Sequence, residues 1–293
     1  MVRIPVVMLT LLAGVSIAIT AHRTSPPPVG ATEIATSTVS SVTASLPTVG
    51  ATEIAVIDAT TGVLLSGKNE REPVHPASLT KMVTALVALE EGQLDDLVTV
   101  DVDARAMPRS TVMGLRPGMA LPLEDLIYGL MLPSGNDAAL AIGRHIAGSD
   151  AAFVALMNQR VQSMGLQHTR FINPHGLDHP EHLSTAEDLA RIAREAMRNE
   201  RFVQIVSTQS WVVRADPPYR ISNLNLLLGA YPGADGVKVG YTRRAGRAYA
   251  ASATRDGHRM IVVVLHSPNP AAESAALLDW AFAQRRAGVL ERS

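Results

Sequence analysis

Cysteine is absent from all 293 residues. That removes disulfides, metal thiolates and thiol catalysis from consideration, although it does not identify a compartment. An excess of either charge is missing too: 26 basic residues stand against 27 acidic ones. No electrostatic footprint for nucleic acid follows from such a balance. A helical pair of histidines four apart, the spacing of hydrolase zinc sites, is also lacking. His175, His179 and His182, with Asp178 and Glu181, crowd one Pro-rich loop; His175 and His179 are four apart but not on a helical pattern, so no metal is expected. What the chain does hold is apolar residue, 47% of it, ample for one large core or two lobes sharing a cleft.

The N-terminus carries a targeting signal. Arg3 precedes an apolar run from Ile4 to Ala21, on the border between a long signal-peptide core and a short membrane span. Ser16-Ile17-Ala18 offers a small-x-small cleavage site. Cleavage is favoured over retention as an anchor, and in either case the rest of the chain is expected outside the cytoplasm, in the periplasm or cell-envelope space. Residues 22–48 are rich in Ser, Thr, Pro and Val and read as a flexible linker. Within this stretch Val29-Gly30-Ala31-Thr32-Glu33-Ile34-Ala35 recurs as Val49-Gly50-Ala51-Thr52-Glu53-Ile54-Ala55. The repeat points to a local duplication. Only the second copy continues into Val56-Ile57-Asp58, so the folded domain is expected over 49–290.

Ser78-Leu79-Thr80-Lys81 is the most informative stretch. Residues three apart share a helix face, so the Lys81 amine can reach the Ser78 hydroxyl without tertiary help. A serine hydroxyl is a weak nucleophile until a base takes its proton, and a lysine is a base only while neutral. A helix start also favours developing negative charge. Alone the pattern is weak, since a chain of this length holds about one Ser-x-x-Lys by chance; the plain alternative is a helix cap beside a surface charge. Two further elements follow. Ser134-Gly135-Asn136 interrupts two helical patterns, Leu123 to Leu132 and Ala138 to about Ile146, where Asn136 or Asp137 could simply cap the second. Lys238-Val239-Gly240 lies in an alternating run from Asp235 to Thr242, where the lysine could simply protect an edge strand.

In this order and spacing the three elements resemble the Ser-x-x-Lys, Ser-x-Asn and Lys-Thr-Gly triplet of penicillin-recognising serine peptidases. The phrases His75 to Met82, Gly114 to Gly118, Gly129 to Ala138, Asn173 to Leu177 and Ala245 to Arg247 narrow the resemblance. They are similar to the low-molecular-mass D-alanyl-D-alanine carboxypeptidases, peptidase family S11, over about residues 50–285. The resemblance implies Ser78 as nucleophile, Lys81 as base and Ser134 as proton relay. It implies substrate binding by Asn136, Lys238, Gly240, Tyr241 and Thr242, with an oxyanion hole from the backbone N–H groups of Ser78 and Tyr241. No cofactor is implied. The expected partners are peptidoglycan stem peptides, with β-lactams as covalent inhibitors.

Strand patterns at 51–58 and 62–66, helical patterns from 78 to about 200, strands at 247–253 and 258–266, and a last helix at 271–285 fit an α+β layout. Arg255-Asp256-Gly257 is a strong hairpin signal between those strands. The family implies an antiparallel sheet with flanking helices and an all-helical lobe, the serine β-lactamase-like fold. Many relatives add a β-rich domain and an amphipathic tail, neither of which is expected here. Asp188 and Asp235 are expected in structural hydrogen bonds, and Met107, Met113, Met119 and Met131 as gap-filling or cleft-lining residues.

Two departures bear on substrate. Val239 stands where the family has threonine, and the connection from His266 to Glu273 lacks the arginine many relatives carry. Both losses touch recognition of the substrate's terminal carboxylate. Thr242, Arg243 and Arg244 are the candidates to compensate. A carboxypeptidase and a D,D-endopeptidase that opens cross-links both remain open. A β-lactamase is disfavoured because residues 160–185 hold no Glu-x-x-Leu-Asn. A catalytically silent peptidoglycan-binding module is disfavoured by the intact reactive set.

Overall fold

In the computed structural model, residues 45–288 are described; the apolar run, the first copy of the repeat and most of the linker lie outside them. Five strands form one antiparallel sheet: β1 (Glu53–Asp58), β2 (Leu64–Lys68), β7 (Ala234–Thr242), β8 (Gly246–Arg255) and β9 (His258–Leu265). Their order is β2-β1-β9-β8-β7, so the N-terminal hairpin joins the C-terminal strands and β7 is left on the edge. The β8–β9 turn is the Asp-Gly hairpin read from the sequence, with Asp256 at φ 50° and Gly257 at φ 76°. Strand β2 starts two residues later than expected. Asp58 caps the turn, its carboxylate accepting Thr60 N–H at 2.8 Å, and Gly62 takes φ 82°.

Both sheet faces are covered, which is why these strands read as nearly continuous apolar runs. Ile54, Val56, Tyr249, Ala251, Met260, Val262 and Val264 face α7 (Pro270–Arg286), which contributes Leu277, Leu278, Ala281 and Phe282. Burying one such side chain contributes roughly 1.5–3 kcal/mol. The opposite face, including Ala55, Ile57, Ala248, Ala250, Ile261 and Val263, meets the helical lobe. Residues Leu46 and Val49 pack against the α7 side. There Glu273 accepts from Gly50 N, Ala51 N and Ser267 Oγ at 2.9, 3.0 and 2.6 Å. A Cβ on Gly50 would stand 2.6 Å from Pro268 Cγ, so this second copy of the repeat needs its glycine.

The lobe contains α1 (Lys81–Glu91), α2 (Leu123–Met131), α3 (Asn136–Ala147), α4 (Asp150–Ser163), α5 (Ala186–Ala196) and α6 (Glu200–Ser207). The helical stretch is less continuous than the sequence pattern indicates. β3 (Leu97–Thr99) pairs with β4 (Ala120–Pro122) inside it, and β5 (Ser210–Val213) pairs with β6 (Tyr219–Ser222) just beyond its end. These ribbons are three or four residues long, too short for a period to stand out. Asp188 and Asp235 do serve structural bonds: Asp188 accepts from Thr169 Oγ1, and Asp235 from Ser252, Thr254 and Arg259. Met113 and Met131 are buried in the lobe core, and Met107 and Met119 pack against it.

Candidate active site

Ser78 sits on a one-turn 3-10 helix, Ala77–Thr80, that leads directly into α1. Ala77 takes φ 49°, a conformation that costs a non-glycine residue energy and needs support. The support is a polar clamp. Thr80 Oγ1 donates to Ala77 O at 2.8 Å, while His182 Nε2 lies 2.8 Å from the same hydroxyl. His182 Nδ1 accepts from Ile172 N, so its proton resides on Nε2 and points at Thr80. Burial, reinforced by His175, pushes this imidazole down to about 3 and keeps it neutral. Gly176 closes over the turn; a Cβ there would lie 1.9 Å from Ala77 O.

Lys81 is fully buried and has three partners: Ser78 Oγ at 2.9 Å, Asn136 Oδ1 at 2.6 Å and His175 O at 2.7 Å. Burial first, and the Lys238 cation second, push its amine well below the ordinary lysine value of 10.5. A neutral amine has two hydrogens and one lone pair. The Asn136 and His175 oxygens can only accept, so they take both hydrogens. The lone pair is left for the Ser78 hydroxyl, which is the arrangement of a nucleophile with its base.

The α2–α3 turn supplies the next pair. Ser134 takes φ 66°, and its buried hydroxyl has no hydrogen-bond partner. A buried polar group without a partner is costly, and this one belongs to a residue that lines the cleft. Asn136 donates from Nδ2 to Ser110 Oγ while its Oδ1 holds Lys81. The plain alternative of Asn136 or Asp137 as a helix cap does not hold; Gly135 precedes α3 with no side-chain cap. Instead Asp137 accepts from Met113, Gly114 and Leu115 N–H, each at 2.9 Å. With Asn136 N donating to Thr111 O at 2.8 Å, it fixes the segment that carries Ser110 and Thr111.

Strand β7 forms the other wall. Lys238 is 2% exposed, lies opposite the small Ala250 of β8, and donates to Val239 O at 3.1 Å. Burial pushes it down to about 7. A Cβ on Gly240 would meet Leu79 Cδ1 at 2.9 Å and Ser78 N at 3.1 Å. Glycine thus lets the edge strand close on Ser78. Val239 and the exposed Tyr241 also line the cleft, a cavity of about 240 Å³ bounded by Ser78, Ser134, Asn136, His175 and Leu177 among others. A larger hollow of about 530 Å³ beside α4 shares only His175 with it and holds no nucleophile.

Of the candidates for the missing carboxylate contact, Thr242 lines the cleft but is engaged. Its hydroxyl donates to Asp178 Oδ1 at 2.6 Å and accepts from Ala245 N at 3.0 Å. Arg243 and Arg244 do not line the cleft. The histidine-rich loop is divided among different partners: His182 goes to Thr80, Asp178 to Thr242, and Glu181 lies 3.6 Å from Arg170. Sequence reasoning missed Ser110, Asp137, His182 and the carbonyl of His175. Each acts through a contact many residues away, and none carries a local spacing signal.

Ser78 and Ser134 thus line one cleft, with Lys81 bonded to Ser78 behind it and Lys238 near enough to act on the Lys81 amine. A profile of the D-alanyl-D-alanine carboxypeptidase family, Peptidase S11, matches residues 40–269. The chain belongs to that family. A D-alanyl-D-alanine carboxypeptidase of Mycobacterium tuberculosis is 36% identical over 237 residues, 78% of this chain and 81% of the relative. One from Bacillus subtilis is 36% identical across 78% of this chain and 61% of its own length. One from Escherichia coli is 38% identical across 78% and 59%. The chain thus spans about three fifths of the length of those last two. Among solved structures, a Streptomyces DD-transpeptidase superposes with a TM-score of 0.76 at 29% identity, covering 82% of this chain and 100% of that one. The fold is the DD-peptidase α+β fold expected from the motifs.

Proposed function

We propose that this chain is an exported serine D-alanyl-D-alanine carboxypeptidase that trims peptidoglycan stem peptides and is acylated by penicillins. One observation carries the reading. A fully buried lysine lies 2.9 Å from Ser78 Oγ, with both of its hydrogens claimed by acceptors. Ser78 attacks the carbonyl between the two D-alanines as its proton passes to Lys81, giving an acyl-enzyme that water then releases. Ser134, its hydroxyl unpartnered, relays a proton to the departing amine. Backbone N–H groups of Ser78 and Tyr241 stabilise the oxyanion. Lys238 meets the terminal carboxylate, and Asn136, with one amide hydrogen still unassigned, holds the peptide backbone.

Export rests on Arg3, the apolar run and Ser16-Ile17-Ala18. N-terminal sequencing of protein from its native host tests it: a start after Ala18 supports cleavage, and a start at Met1 in the membrane fraction supports an anchor.

A second reading is favoured by Val239, which supplies no hydroxyl, and by Thr242, whose hydroxyl is bound to Asp178. Endopeptidase cleavage of cross-links depends less on a terminal carboxylate. Incubation with purified muropeptides separates the two. Free D-alanine supports the carboxypeptidase, and split dimers without D-alanine support the endopeptidase.

A further inference from the structure

Arg109 lies at the mouth of the cleft, exposed, with φ 61°. Among the described residues its side chain has no ion pair or hydrogen-bond partner. None of the residues lining the cleft is an aspartate or glutamate. The segment around Arg109 is nonetheless firmly held. Asp137 binds three backbone N–H groups just beyond it, and Thr111 Oγ1 donates to Ser134 O at 2.7 Å. A strained backbone on a fixed segment, presenting an unpaired cation over a reactive cleft, calls for an anion from outside the chain.

The position of Arg109 indicates which anion. Ser110, its neighbour, receives Asn136 Nδ2, so Arg109 stands on the Asn136 side of the cleft. The Lys238 side receives the departing D-alanine and its carboxylate under the reading above. From the attacked carbonyl the stem peptide runs the other way, past Asn136 and out of the cleft. The side chain of the residue preceding the two D-alanines then emerges beside Arg109. In stem peptides that residue is a diamino acid, ending either in a bare amine, as lysine does, or in a carbon that also bears a carboxylate. A guanidinium repels the first and can hold a carboxylate with two parallel hydrogen bonds.

We infer that Arg109 is a specificity-determining residue that selects stem peptides carrying a free carboxylate on the residue before the D-alanine pair. This rests on the peptidase reading of the cleft. The test uses three peptides ending in D-Ala-D-Ala that differ only at the preceding residue: lysine, Nε-acetyl-lysine, and a 2-aminodicarboxylate of similar length. The full chain should release D-alanine from the dicarboxylate peptide with kcat/KM on the order of tenfold above the lysine peptide. That ratio should shrink with added salt. It should collapse toward one in Arg109→Gln and invert in Arg109→Glu, a reversal that misfolding cannot produce. Equal kcat/KM on all three peptides overturns the assignment and leaves the peptidase reading standing. So does a loss in Arg109→Gln that is proportional across the three, which would place Arg109 on the carboxylate they share. Release of D-alanine from none of them overturns both.

Discussion

The two faces of the central sheet follow opposite rules. On the α7 face, Val262, Val264, Leu277, Leu278 and Phe282 form an apolar layer in which the buried Glu273 has backbone and hydroxyl donors. On the lobe face, the sheet edge meets two buried lysines, a serine hydroxyl without a partner, and two non-glycine residues at positive φ, Ala77 and Ser134. The same β strands serve both. The first face contributes stability, and the second draws on it to hold groups in protonation states and conformations they would not adopt in water.

The sharpest way to break this comparison is at the base. Lys81→Arg keeps a long cation but cannot lose its proton, so penicillin acylation should fall by about a hundred- to ten-thousand-fold. Stopped-flow with a fluorescent penicillin measures it. The reverse pattern is expected on the other face. Phe282→Ala, which also removes the ring under Arg255, should cost about 3–5 kcal/mol in urea unfolding while the folded fraction acylates at the normal rate.

Lys238→Met should sharpen the contrast by stabilising the protein as it abolishes carboxylate recognition. Lys238 titrates near 7 when folded against an ordinary 10.5. Between those values the unfolded chain holds a proton that the folded one does not, so stability rises with pH across that window and its penalty is complete below about 7. Denaturation at pH 7 should show a gain of roughly 1–4 kcal/mol in the variant, shrinking as the pH approaches 10. A smaller effect belongs to Val239→Thr. One restored charge-assisted hydrogen bond should raise kcat/KM on D-Ala-D-Ala peptides about tenfold to a hundredfold, and cleavage of cross-linked dimers less. No change on any substrate would show that Lys238 alone suffices for the carboxylate.

What could be read from the sequence divides along the same lines. Ser78 with Lys81, and Ser134 with Asn136, lie within one helical turn or one tight turn of each other, so each pair is visible locally and the order of the three elements makes them specific. Strands β8 and β9 and helix α7 announce themselves by long apolar runs and an Asp-Gly turn. The polar contacts that hold the site do not. Asp137 to the 113–115 backbone, His182 to Thr80, and Thr242 to Asp178 join residues 22 to 102 positions apart. Such contacts are settled only when the lobe closes on the sheet, and a carboxylate at a helix start looks like a cap until then. The role of Val239 was legible as a missing hydroxyl; that Thr242 was already engaged was not.

The central claim is that burial and the Lys238 cation keep Lys81 neutral beside Ser78. The acylation rate constant with a penicillin, measured across pH 4 to 11 with the adduct located by peptide mass spectrometry, tests it most directly. The account predicts a Ser78 adduct and a rate whose acid limb is complete well below the ordinary lysine value of 10.5. A rate still climbing through 10.5, or an adduct on any other residue, would contradict it.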